Sequence, residues 1–473
     1  MRRVLVVSYF FPPAGNVGVQ RTVRFVKRLR EFGWEPVVLT AGDAVVDSLQ
    51  PRFEDHVPHD VEVHRTPSFE RFSSGCSVRD GKRRDGTNRN SFWKIARRCW
   101  KAFAVPDEKV GWVGHAVRRG VLVLDERPFD AIYVTGKPFS SFLIGERLSR
   151  RCGVPWVMDL RDLWTLNRRD SARNAWHRWR APWMERRLVR SASAVVANTP
   201  GDRADFLAAF PECPREKFVT ITNGFDADDF VDLPDDRFDR FTISYTGTFY
   251  GDRSSEHATH SPCYLFQALA ALFRDRPELR NRIRVKIAGP KCDYARRVAE
   301  TCGIADVVEL LGVVPHRECL ALLSRSHFQW LVCSRGEAST GWIPCKLYQY
   351  VAIRTPILGL LPEGDAADVV RRTRTGVVVP PDDVASIRRT VEEQFDSWNA
   401  GGTALANAES IEAEIRRYEG RALCESLADC FDRIATCERP EARTPEDETG
   451  SQGRTSSRRV GRCVPSGLEE VRR

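Results

Sequence analysis

The feature that most constrains this chain is an alternation of short apolar runs and longer amphipathic stretches that halts once and then begins again. In the first half the runs fall at residues 4–8, 37–40, 131–134 and 154–160, with amphipathic stretches at 20–32 and 139–151 among them. Runs of that length suit strands buried on both faces, and the stretches between are long enough for the crossover helices that parallel strands require. The turn-forming Asn223-Gly224-Phe225-Asp226 and the acidic, proline-containing residues 226–240 interrupt the pattern. It resumes at 242–245 and recurs at 285–288, 307–310, 328–332, 356–359 and 377–379. The fold class read from this is α/β, with two doubly wound parallel-sheet units at residues 1–225 and 226–400. Such sheets hold ligands at the carboxyl ends of their strands, so two facing units place the binding surface in a central cleft.

A chain of 473 residues is long for one core, and its 42% apolar content is too high for general disorder. Residues 401–437 read as closing helices, because Ile415, Tyr418, Leu423, Leu427 and Phe431 recur at helical spacing. Residues 71–90 and 438–473 have no such periodicity and read as a disordered insertion and a disordered tail. Met1-Arg2-Arg3 ahead of an apolar run superficially matches a signal peptide, but Pro12-Pro13 follows where a small-residue cleavage site belongs. Nowhere do 18 apolar residues run together, so the expected location is the cytoplasm, with the inner face of the membrane as a second place. The 14 cysteines form no Cys-x-x-Cys pair and read as reduced thiols; no metal site is expected from them. A net charge of +9 favours an anionic partner, and without a nucleic-acid-binding signature beside it nucleic acid is not expected.

Four stretches carry the chemistry. Pro12 to Gly18 lies between the first strand and a helix, where Gly15, Asn16 and Gly18 let the backbone approach an anion or simply form a tight turn. Asp159, Arg161 and Asp162 close a strand and are the candidate catalytic residues, as a ligand-facing cluster, or else an ion-paired corner. Thr246-Gly247-Thr248 repeats the strand-then-glycine arrangement and is followed by Arg253, a cation suited to a diphosphate. Trp176, Trp179 and Trp183 share one helical face among Arg178, Arg180, Arg186, Arg187 and Arg190. That stripe reads either as core packing or as a surface resting on an anionic bilayer.

Taken in order, these stretches resemble glycosyltransferase family 4, the retaining GT-B group, and in particular its polysaccharide-assembly members. The resemblance runs through Tyr9-Phe10-Phe11-Pro12-Pro13, Thr135-Gly136-Lys137-Pro138-Phe139-Ser140, residues 159–164, Ala197-Asn198-Thr199-Pro200 and residues 221–226. It continues through residues 245–250, Gly312-Val313-Val314-Pro315-His316 and Lys346-Leu347-Tyr348-Gln349-Tyr350. It implies two Rossmann-like domains, a nucleotide-sugar donor held mainly by the second, a saccharide or lipid-linked acceptor held by the first, no cofactor and no required metal. It further implies donor contacts from Gly15, Gly18 and Arg253, and places Gln349 where the family has the second acid of a Glu-x7-Glu motif; Lys346 is a further cation suited to stabilising a departing diphosphate. Gly341 stands at the position of the first acid, with Glu337 nearby. A nucleotide-sugar epimerase of the same architecture and an inactive sugar-nucleotide-binding relative are the competing readings.

Overall fold

The computed structural model describes residues 1–14, 17–42, 57–68, 102–167, 174–249, 261–290, 292–333, 341–402 and 409–437, together with 98 and 100. The expected insertion at 71–90 and tail at 438–473 lie outside the described residues.

The first sheet has seven parallel strands in the order β3-β2-β1-β4-β5-β6-β7. They are β1 (Arg2–Ser8), β2 (Trp34–Ala41), β3 (Glu62–Thr66), β4 (Ala131–Gly136), β5 (Trp156–Leu160), β6 (Ala194–Ala197) and β7 (Phe218–Thr220). Their helices are α1 (Val17–Arg28), α2 (Val113–Glu126), α3 (Ser141–Cys152), α4 (Ala175–Ser191) and α5 (Pro200–Ala209). The central β4, Ala-Ile-Tyr-Val-Thr-Gly, is buried along its whole length, as a strand covered on both faces must be. The edge strand β3, Glu-Val-His-Arg-Thr, is polar and only its last residue is buried, which discourages pairing with another chain.

The second sheet has six parallel strands in the order β10-β9-β8-β11-β12-β13. They are β8 (Phe241–Thr246), β9 (Ile283–Ala288), β10 (Val308–Gly312), β11 (Phe328–Val332), β12 (Ile357–Leu360) and β13 (Gly376–Val379). Their helices are α6 (Cys263–Asp275), α7 (Cys292–Thr301), α8 (His316–Arg325), α9 (Cys345–Ile353), α10 (Asp365–Thr373) and α11 (Val384–Asn399). Strand order reverses beside β1 in one sheet and beside β8 in the other, and a crevice opens at such a reversal.

The chain then returns to the first sheet. The closing segment is divided into α12 (Glu409–Arg416) and α13 (Gly420–Cys437), although the helical spacing from Ile415 to Phe431 runs through the break. The break has a cause: Phe225 N–H donates to the Tyr418 carbonyl at 3.0 Å, and Gly420 N–H donates to the Phe225 carbonyl at 2.8 Å. The two segments passing between the sheets are therefore laced together. Gly224 is needed there, because a Cβ would lie 2.1 Å from the Tyr418 oxygen. Beyond the break, Leu423, Leu427 and Phe431 of α13 join the apolar cluster of Val4, Val6, Phe25 and Tyr133 on one face of the first sheet. The C-terminal helix thus completes the N-terminal core.

Helix α4 resolves the two readings of its tryptophans. His177, Ala181, Met184, Glu185, Leu188 and Val189 form its buried stripe, whereas Trp176, Trp179 and Trp183 are 41%, 67% and 53% exposed. The core-packing reading of that stripe is corrected: another face of the helix is in the core.

Candidate functional site in the cleft

Three elements of the first sheet meet at its carboxyl edge. From α1, Arg21 donates through Nε and Nη2 to the two oxygens of Asp159, at 3.0 and 2.9 Å. The Tyr133 hydroxyl donates to the same carboxylate at 2.5 Å. Arg21 also reaches the carbonyls of Thr222 at 2.6 Å and Ile221 at 2.8 Å. The side chains of both ions are almost wholly buried, 2% exposed for Arg21 and 0% for Asp159. Burial works against the Arg21 charge, and Asp159 more than restores it, so the guanidinium stays charged. Burial and the Asp159 charge together hold the Tyr133 phenol well above its ordinary value, so it stays a donor. Removing one member of such a pair costs about 3–5 kcal/mol. Asp159 is therefore corrected from a crevice-facing carboxylate to the centre of a buried corner.

Arg161 occupies the surface that Asp159 does not. Its Nε donates to the Gly136 carbonyl at 2.8 Å, and its Nη2 donates to that of Lys137. Gly18, in the first turn of α1, makes room for it, since a Cβ there would fall 1.6 Å from Arg161 Nη1. Asp162 is 44% exposed and lies 3.8 Å from Lys137 Nζ.

The second sheet supplies a matching arrangement. Gly247, at the end of β8, has φ +132°, and a Cβ there would sit 3.2 Å from Lys346 Nζ. Lys346, in the first turn of α9, donates to the Thr246 carbonyl at 3.3 Å and lies over the Tyr245 ring, 3.9 Å from its centroid. Burial lowers its ammonium to about 7. Gln349 follows on the same helix and is half-buried. Gly15, Asn16, Arg253 and Glu337 lie outside the described residues.

The two arrangements face one another. Cys345, next to Lys346, accepts from Asn223 Nδ2 at 3.4 Å. Its thiol is raised by burial and by Asp162, against the pull of Arg24, Arg161 and Arg21 from the first sheet. A second bridge runs from α5: the Thr199 hydroxyl donates to the Gly341 carbonyl at 2.8 Å, and Gly201 N–H donates to Asp365 at 2.8 Å. Beside it, burial above all, with Asp365 and Asp162 adding to it, pushes the Asp202 carboxyl up to about 7.

A cavity of about 660 Å³ opens in the first sheet's half, lined among others by Phe10, Lys137, Phe139, Trp164, His177 and Arg178. Phe139 and Trp164 stack at 5.1 Å. The sequence reading did not single out this cavity, nor Arg21 and Tyr133. A signal for Arg21 was present: Arg21, Arg24 and Arg28 share one face of α1 at spacings of three and four, and all three are buried.

Comparison with known proteins gives consistent matches. The family described as "Glycosyl transferase 4-like domain" matches residues 18–224, and "Glycosyl transferases group 1" matches 245–396. The D-inositol 3-phosphate glycosyltransferase of Streptomyces scabiei is 28% identical over 250 residues, 48% of this chain and 52% of that protein. The chain thus spans about half the length of the curated relatives it matches. Among solved structures, sucrose-phosphate synthase from Thermosynechococcus elongatus superposes with a TM-score of 0.56 at 12% identity, covering 92% of this chain and 100% of that one. Anabaena HepE, solved with UDP and glucose, superposes with a TM-score of 0.54 at 14% identity, covering 91% and 100%. With both halves matched in order, and two parallel α/β sheets in one chain, the chain belongs to the family 4 glycosyltransferases of GT-B fold.

Proposed function

We propose that this chain transfers a sugar, with retention, from a nucleotide-diphosphate sugar to a saccharide or lipid-linked acceptor in the assembly of a polysaccharide or cell-envelope glycan. One observation carries the reading: Arg161 and Lys346 come from opposite halves and stand beside Gly18 and Gly247, and the Arg161 charge acts on Cys345, the neighbour of Lys346. Two fixed cations around a departing diphosphate stabilise the charge that develops as the glycosidic bond breaks. The N-terminus of α9 adds unpaired N–H groups beside Lys346. In this reading Gly15, Asn16, Gly18 and Gly247 let the backbone approach the phosphates, Arg253 adds a further cation, and Gln349 and Glu337 serve the nucleotide. Asp159 acts by holding Arg21 and the chain at 221–223 in place, and Asp162 remains the carboxylate open to the cleft. The stacked Phe139 and Trp164 rings in the lining of the cavity offer an aromatic platform for the acceptor. The reading invokes no metal and no cofactor.

A thermal-shift panel of nucleoside diphosphates tests it first, with UDP leading because Anabaena HepE was solved with it. A ligand at 100 times its dissociation constant raises stability by about 2.7 kcal/mol. No shift with any nucleotide sinks the donor site. Binding without hydrolysis or transfer of the sugar favours the inactive relative, and an epimerised nucleotide sugar with no transfer favours the epimerase.

A further inference from the structure

We propose that the outer face of α4, with Trp100 and Phe103 beside it, docks on an anionic bilayer surface. Five large aromatic side chains stand in solvent here: Trp100, Phe103, Trp176, Trp179 and Trp183, between 40% and 67% exposed. They form one surface. The Trp176 indole donates to the Phe103 carbonyl at 3.3 Å, Asn174 Nδ2 donates to the Ala102 carbonyl at 2.8 Å, and the Trp176 and Trp179 rings lie 5.3 Å apart. A cluster of this size is unusual on a water-exposed surface and marks an interaction site.

The charges choose the occupant. Arg180 and Arg187 lie 4.4 and 5.3 Å from the Trp183 ring, Arg187 pairs with Glu146, and Arg186 and Arg190 share Glu212. Arg178 and Arg180 have no carboxylate partner among the described residues. Indoles interleaved with guanidinium groups suit the headgroup layer, where the rings leave water and the cations meet lipid phosphates. No helix of the described residues is long and apolar enough to cross a membrane, so the contact is with the surface. His177, Arg178 and Ala181 of the same helix line the cavity assigned above to the acceptor. Docking therefore sets the cavity beside the headgroups and makes a lipid-linked acceptor the substrate class, a consequence that rests on the acceptor reading although the docking itself does not.

Flotation of the full chain with phosphatidylcholine vesicles, with and without phosphatidylglycerol, tests the docking. The wild type is expected to float with the anionic vesicles only, and less so at high salt. Trp179→Ser with Trp183→Ser should weaken that partition at least about tenfold, and Arg180→Glu about fivefold or more. Nucleoside-diphosphate binding and melting temperature, read on the same variants, should not move; a failure of the donor site would show there and leave flotation intact. Absence of wild-type binding to anionic vesicles, or equal binding by the tryptophan variant, overturns the proposal. So does a wild-type dimer in light scattering that the tryptophan variant dissolves, which would give the surface to a second copy of the chain.

Discussion

Placing a methyl group on Gly18 brings it 1.6 Å from Arg161 Nη1 and 2.6 Å from Cζ. Neither atom is free to retreat without cost, because the guanidinium donates to the carbonyls of Gly136 and Lys137. Hydrogen bonds from charged donors contribute about 1.5–3 kcal/mol each, and alanine in a helix is worth about 0.8–1 kcal/mol over glycine. Gly18→Ala should therefore destabilise the protein by about 2–4 kcal/mol. In an Arg161→Ala background the obstacle is gone and only helix propensity remains. The same substitution should then stabilise by about 0.5–1 kcal/mol. Urea unfolding of the four proteins of this cycle reads the coupling directly. Arg161→Ala alone should fold and lose about 10²–10³ in turnover if it faces the departing diphosphate. Additivity of the two substitutions within about 0.5 kcal/mol would refute the packing of Arg161 on Gly18.

Substitutions at three further positions probe the site and its frame. Burial raises the Glu185 carboxyl to about 7, so the folded chain holds this proton more tightly than the unfolded one; the associated stability is full below pH 4.5 and is lost as pH rises to about 7. Glu185→Gln, which still accepts from Thr165, should flatten that slope and add roughly 3 kcal/mol at pH 8; an unchanged slope in denaturation at several pH values removes Glu185 as its source. A Lys346 ammonium near 7 in the free protein should take up a proton when an anionic nucleotide binds, so affinity falls up to about tenfold per pH unit above 7. Calorimetry in buffers of different ionisation enthalpy should show that uptake in the wild type and none in Lys346→Met. At Gln349, glutamate should keep or tighten nucleotide affinity and alanine should loosen it, since charge-assisted hydrogen bonds contribute about 1.5–3 kcal/mol against about 1 for neutral ones; equal affinities by titration remove Gln349 from the site.

The two sheets were legible because buried parallel strands write themselves as uninterrupted apolar runs such as β1 and β4, and the interruption after residue 223 marks where one sheet ends. Gly247 was legible as a strand-then-glycine turn, whereas Gly18, read as part of the loop before a helix, lies in the first turn of α1; their neighbours, Lys346 and Arg161, were not paired with them beforehand. What sequence could not show was partnership at long range. Asp159 and Arg161 are two residues apart on a strand end, yet one is sealed in by Arg21, 138 positions away, while the other is half-buried and donates to the carbonyls of Gly136 and Lys137. Nor does the spacing of Trp176, Trp179 and Trp183 say which side of α4 meets the core; Ala181, Met184 and Leu188 settle that by packing.

The departure from the family pattern at Gly341 has a physical counterpart across the cleft. Gly341 accepts from Thr199, and a Cβ on Gly201 would lie 2.9 Å from its Cα. A Cβ on Gly341 itself would point toward Asp202, whose oxygen would be 3.6 Å away. Burial and Asp365 already push that carboxyl up to about 7, so a glutamate at 341 would press another negative charge on a site that disfavours the one it has. Glycine at 201 lets α5 approach the second sheet, since a Cβ there would lie 2.7 Å from an Asp365 oxygen, and Asp365 closes the contact by accepting from Gly201 N–H at 2.8 Å. The position to which the resemblance assigns an acid thus sits in the bridge between the two halves, beside a carboxyl that already disfavours its own charge.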